Sequence, residues 1–205
     1  LGHDFWPLLC GAFSNPVLLP ASQSIDKPRC SNYGKQMVEI PSSGAKEQRI
    51  MGHLSGGCQC GAVRFRVREP LGKAGICHCR MCQKAFGSWG AALVSVPAEN
   101  LTWTRGQPSL FRSSAIVARG FCAKCGTPLH MREDGDDNFE LAIGAFDEPS
   151  RVGPLTEQVG VEGRVSWFKD MHLLTEQTTA ETRTPQDLAK LKSLQHPDYD
   201  TDHWP

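Results

Sequence analysis

Net charge is the first thing this 205-residue sequence lacks: Lys plus Arg and Asp plus Glu each number 22, so the formal charge at pH 7 is zero. No global field then draws the chain to nucleic acid or anionic lipid, and a small neutral ligand or a thiol suits the balance better. A long apolar run is also missing. The sole signal-like stretch, FWPLLCGAFSNPVLL, has no basic leader and is interrupted by Pro7 and Pro16, so no membrane partner is expected and the cytoplasm is the expected compartment. No cysteine follows Cys125, which excludes the separate late catalytic cysteine of a methionine sulfoxide reductase. Neither H-x-E nor P-C-x-x-C occurs, which excludes a zinc deaminase. Helical patterning is scarce, so the C-x-x-C pair lacks the βαβ setting of a thioredoxin-type oxidoreductase.

What is present points to strands. Residues 1–51 mix Pro, Ser, Gly and Lys without a period of 3.6 or 2 and read as an irregular N-terminal extension. The pattern changes at MGHLSGGCQCGAVRFRVREP, where Val63, Phe65 and Val67 alternate with Arg64, Arg66 and Arg68, as in a strand with one buried face and a solvated row of arginines. Then come AALVSV, LTWTR, SLFRSS, ARGFC, TPLHMRE and NFELAIGAF, rich in β-branched and aromatic residues and bounded by Gly, Pro, Asn or Asp. The expected fold is mainly β, an antiparallel zinc-stapled domain over residues 52–175. A C-terminal tail, residues 176–205, carries one short peripheral helix in TPQDLAKLKSL, with Pro185 in its first turn and Leu188, Leu191 and Leu194 on one face. Its end, QHPDYDTDHWP, is expected to be extended or mobile.

Seven of the nine cysteines fall in close groups, a spacing that suits metal better than disulfides; Cys10 and Cys30 stand apart and read as ordinary free cysteines. The groups are Cys58-x-Cys60, Cys77-x-Cys79-x-x-Cys82 and Cys122-x-x-Cys125. Structural zinc takes four tetrahedral ligands, whereas catalytic zinc takes three from the protein and leaves one position open. Seven thiolates divide as four plus three. Cys58, Cys60, Cys122 and Cys125 are assigned to a closed site that staples the first strand to a later hairpin, and Cys77, Cys79 and Cys82 to a second zinc with its fourth position free. Two alternatives stand for the triplet: closure by His78 or His130, or a cysteine cluster that is merely oxidisable. His78 lies between two ligands, so its ring should point away from their metal and sit behind it or in solvent. Gly87, Ser88 and Trp89 follow the triplet and could line a pocket, although Trp89 reads equally well as a core residue.

Three thiolates leave a zinc site with a net formal charge of minus one, a weak Lewis acid poorly suited to making hydroxide but well suited to holding a fourth sulfur. The natural substrate of such a site is a small thiol, and the electrophile it meets could be an aldehyde.

The run GGCQCGAVRF, the triplet CHCRMCQKAFGS, the stretch VPAENLTWTRG, the pair FCAKCGTPL and EGRVSWF together resemble the glutathione-dependent formaldehyde-activating enzyme family, whose zinc-binding domain also occurs in centromere protein V. The resemblance covers residues 53–170. It implies a mainly β fold with two zincs, a structural site at Cys58, Cys60, Cys122 and Cys125, and a catalytic site at Cys77, Cys79 and Cys82. It also implies a carbon-sulfur lyase reaction run in reverse, in which glutathione adds to formaldehyde to give S-hydroxymethylglutathione. The rival expectation is a two-zinc module that binds a protein or nucleic acid without chemistry. A nucleic-acid role calls for a basic arm, whereas Lys and Arg are spread along this chain. The sequence leaves self-association into a homo-oligomer open.

Overall fold

The alternating stretch RFRVR forms a strand whose Phe65 and Val67 are fully buried while Arg66 and Arg68 face solvent. It belongs to a computed structural model that describes residues 52–203. The expected N-terminal extension, with Cys10, Cys30 and the signal-like stretch, lies outside the described residues. In chain order the strands are β1 (His53–Gly57), β2 (Arg64–Arg68), β3 (Ala74–Cys77), β4 (Ala91–Pro97), β5 (Leu101–Arg105), β6 (Ser109–Arg112), β7 (Val117–Phe121), β8 (Pro128–Glu133), β9 (Asn138–Ala142) and β10 (Glu157–Val159). Two short α-helices accompany them, α1 (Arg80–Phe86) between β3 and β4 and α2 (Pro185–Lys190) after β10.

The strands form a three-stranded sheet in the order β1-β2-β5 and a seven-stranded sheet in the order β10-β3-β4-β9-β8-β7-β6. The fold is thus mainly β, and every pairing among these strands is antiparallel except β10 with β3, which is parallel. That exception follows from the long return of the chain after β9, which brings residues 157–159 alongside the strand that ends in Cys77. Leu54, Phe65 and Val67 from the small sheet share one core with Val94, Val96, Leu129 and Leu141 from the large one. Phe65 meets Trp103 and Phe146 edge-on, at centroid distances of 5.8 and 5.1 Å. Each such fully buried side chain contributes about 1.5–3 kcal/mol.

Three expectations from the sequence are corrected. Arg64 is not on a solvated strand face: it is 3% exposed, and its guanidinium donates to both carboxylate oxygens of Asp147 at 2.8 and 2.5 Å and to Asp200 at 2.9 Å. Burial would be prohibitive for the lone cation, and two carboxylates offset it. Leu188, Leu191 and Leu194 do not share a helical face, because α2 ends at Lys190 and Leu194 beyond it is 88% exposed. Nor does the chain end run loose. The His196 N–H donates to the Gln59 carbonyl at 2.9 Å, Asp200 also accepts from Arg66 at 2.7 Å, and Arg105 donates to Thr201.

Candidate functional site

Two turns bring four cysteines together. After β1 the chain reverses through Cys58–Val63, closed by the Cys58 N–H on the Val63 carbonyl at 2.9 Å and the Gly61 N–H on the Cys58 carbonyl at 3.0 Å. Between β7 and β8 the Cys122 N–H bonds the Thr127 carbonyl at 2.9 Å and the Gly126 N–H bonds the Cys122 carbonyl at 2.8 Å. Gly126 takes a positive φ of 78°, which a side chain would oppose. The sulfurs of Cys58, Cys60, Cys122 and Cys125 then all lie within 4.8 Å of one another. Cys58 and Cys60 are 3.6 Å apart, and Cys60 and Cys122 are 3.7 Å apart. These distances are far beyond a disulfide bond of about 2.05 Å. They match the edge of about 3.8 Å that four sulfurs describe around a metal at about 2.3 Å.

Without a cation the four thiols are unequally placed. Burial pushes the Cys58 thiol up to about 12. Burial also opposes ionisation of Cys125, but the Thr127 hydroxyl and backbone N–H outweigh it and bring that thiol down to about 6. A cluster in which one sulfur ionises readily and another resists suits a cation that equalises them.

The triplet is built differently, from one continuous stretch. Cys77 ends β3, Cys79 caps the N-terminus of α1, and Cys82 sits in that helix's first turn, with its N–H donating to the Cys79 sulfur at 3.4 Å. Their three sulfurs lie within 4.8 Å of one another, and among the described residues no fourth His, Cys, Asp or Glu joins the group. Cys77 and Cys79 are half-buried, whereas Cys82 is 1% exposed. Burial pushes the Cys77 thiol up to about 12. Burial also acts on Cys79, but the Cys82 N–H, the neighbouring sulfurs and the Arg119 charge bring it below its ordinary value.

Neither candidate histidine belongs to the sulfur group. The His78 ring is buried rather than solvent-facing: it shares a hydrogen bond with the Gln158 side chain at 3.1 Å and packs between Trp89 and Phe168. Trp89 is therefore part of an aromatic packing cluster, and Gly87 is the exposed left-handed cap of α1. His130 is buried between Trp103 and Phe139. Its desolvation, helped by the charge of Arg132, lowers its pKa to about 4.

Several residues that support the triplet carried no sequence signal. Gln83, buried on α1, donates its amide to the carbonyls of His78 and Gly163 at 2.8 and 2.7 Å. The His78 N–H bonds the Val159 carbonyl at 2.9 Å, which pins the triplet to β10. Gly160 lies so close that a Cβ there would stand 2.8 Å from the Cys79 nitrogen. Arg119 on β7 donates both terminal nitrogens to the Cys82 sulfur, at 3.6 and 3.5 Å. Its sequence context, ARGFC, offered only an ordinary strand position. A cavity of about 320 Å³ opens beside Cys77, walled by Ile76, Leu93 and Met131 on one hand and by Lys73 with the carboxylates of Glu133, Asp136, Glu140 and Glu157 on the other.

Among the described residues no helix is long and apolar enough to cross a membrane. A protein of Halomonas elongata that carries the name of a glutathione-dependent formaldehyde-activating enzyme is 33% identical over 84 residues, covering 37% of this chain and 54% of that protein. The chain thus spans about half the length of that curated relative. A crystal structure of a Rhodobacter sphaeroides protein superposes with a TM-score of 0.41 at 22% identity, over 49% of this chain and 96% of that one. The model of the glutathione-dependent formaldehyde-activating enzyme family matches residues 53–160, more than half of the sequence, and the chain belongs to that family.

Proposed function

We propose that this chain joins a small thiol, glutathione or one like it, to a small aldehyde such as formaldehyde, giving an S-hydroxymethyl thiol. In the formal classification this is a carbon-sulfur lyase working in reverse. The observation that carries the reading is a group of three cysteine sulfurs, without a fourth ligand among the described residues, beside a cavity large enough for small reactants. Two zincs per chain are assigned, one held by Cys58, Cys60, Cys122 and Cys125 to staple the fold and one by Cys77, Cys79 and Cys82 to serve the reaction. When bound by the triplet, zinc supplies a soft Lewis acid with room for one more sulfur ligand.

The protein's own residues do the rest. Cys82 is buried, so the accessible side of the triplet is the one formed by half-buried Cys77 and Cys79. Gln83 and Gly160 hold the Cys77–Cys82 loop at a fixed distance from β10, so an incoming sulfur meets a preformed site. The C–S bond forms as the thiolate attacks the carbonyl carbon, the carbonyl π pair moves to oxygen, and the proton lost by the thiol is balanced by the one that oxygen gains. None of the seven described cysteines forms a disulfide, which suits a reducing compartment, and we place the protein in the cytoplasm.

Native mass spectrometry with and without glutathione, followed by ¹³C NMR of labelled formaldehyde, tests the reading. Two zincs, a glutathione adduct and condensation faster than the spontaneous reaction are expected, with adduct and rate enhancement both absent in Cys79→Ser. Two zincs without adduct or rate enhancement would replace the enzyme with a binding module.

A further inference from the structure

Among the described residues two arginines are almost completely buried, and they are compensated in different ways. Arg64 has the carboxylates of Asp147 and Asp200. Arg119, 6% exposed, pairs with no carboxylate among the described residues. Its Nε donates to the Ser113 hydroxyl at 2.9 Å, and both remaining nitrogens converge on the Cys82 sulfur. A guanidinium so deeply buried requires a counter-charge, and among the described residues the candidate it touches is the sulfur of Cys82. The forked donation is the arrangement by which arginine engages an anion.

We propose that Arg119 sets the charge preference of the triplet's open position, making it select an anionic fourth ligand over a neutral one. The inference rests on the reading that the triplet holds a divalent metal with one position free. Three thiolates around such an ion carry one net negative charge, which repels a further anion. Arg119 brings the assembly to neutrality, so an added thiolate leaves one net negative charge in this poorly solvated place instead of two. The electron-rich site expected from the cysteines alone is therefore incomplete: its fourth sulfur is admitted because β7 supplies a cation. Arg119 touches Cys82 and not the substrate, so it is a positioning residue acting through the metal ligand.

The test uses the full chain loaded with cobalt(II), whose visible spectrum reports ligand binding at the triplet, in wild type, Arg119→Gln and Arg119→Lys. The probes are thiocyanate and glutathione as anionic ligands and imidazole as a neutral one. In Arg119→Gln, thiocyanate should bind roughly tenfold more weakly while imidazole stays within about twofold, and Arg119→Lys should recover most of the anion preference. Parallel weakening of thiocyanate and imidazole would mean that Arg119 merely supports the triplet's shape, and unchanged binding of both would remove it from the site; either result overturns the proposal. If Arg119→Gln fails to fold, Arg119→Lys decides: it retains the charge without the fork and must keep the anion preference. A wild type that selects thiocyanate but shows neither glutathione binding nor condensation would sink the thiol-aldehyde reading and leave Arg119's role standing. Condensation with unchanged anion preference in Arg119→Gln would do the reverse.

Discussion

The two cysteine groups are made of the same atoms and differ in what they join. Cys58 and Cys60 meet Cys122 and Cys125 across two turns that are distant in sequence, so this group ties the small sheet to the β7–β8 hairpin of the large one. Cys77, Cys79 and Cys82 come from a single strand-to-helix corner and join nothing that the backbone does not already join. A metal in the first group restrains the unfolded chain strongly, whereas a metal in the second restrains it little. On the proposed two-zinc assignment, stability belongs mainly to the four-cysteine group, and the triplet is free to leave a coordination position open.

The largest effect that separates them is on folding. Structural zinc carries on the order of 10 kcal/mol of folding free energy, so Cys122→Ser should abolish the cooperative thermal transition. A melting temperature within a few degrees of wild type would erase the distinction between the groups. Next in size is Cys79→Ser, which should lower the condensation rate by roughly a thousandfold, about 4 kcal/mol. Its fold should persist, because serine is a favoured helix N-cap and can accept the Cys82 N–H as the sulfur does. A parallel loss of stability would mean that the triplet is structural too.

His130 sharpens the comparison through pH. Its folded pKa is about 4, below the ordinary 6.5, so between those values the unfolded chain takes up a proton that the folded chain refuses. Stability is then complete above pH 6.5 and falls as the pH drops toward 4, by on the order of 3 kcal/mol over the window. Chemical denaturation at several pH values should show that His130→Gln flattens this part of the profile relative to wild type, while two metals are retained. Loss of one metal in that variant would make His130 a ligand after all. The smallest effect is expected for Asp200→Ala, which leaves Arg64 paired with Asp147 and should cost about 1 kcal/mol in denaturant titration. A cost several times larger would make the C-terminal strap a third structural tie alongside the cysteines.

The mainly β class and most strand positions were legible because a half-buried strand writes its two faces into alternate residues, as Phe65 and Val67 do between arginines. Cysteine spacing was legible for a similar reason, since a turn of two to four residues is the shortest way to aim two sulfurs at one point. α1 was not legible: RMCQKAF is too short to show a helical period, and its N-cap is Cys79, which sequence reasoning had already spent as a ligand. β10 was hidden because it is only three residues long and exposed, held by pairing with β3 and not by a core of its own. Arg64 and Arg119 were invisible for one shared reason. An arginine in a strand looks the same in sequence whether it meets water, two carboxylates or a sulfur, and the partner that decides comes from 83 residues away for Arg64 and 37 for Arg119.

The local origin of the triplet also bears on how the protein is made. A chain emerging from the ribosome presents Cys77, Cys79 and Cys82 before Cys122 or Cys125 has been added, so on the proposed assignment the triplet has all of its ligands while the four-cysteine group has only half of its own. The three sulfurs of the triplet would then be able to meet an ion ahead of the completed scaffold. Only when the β7–β8 turn arrives do the four sulfurs close, and the strap that reaches back to Gln59 is the last of these contacts to form.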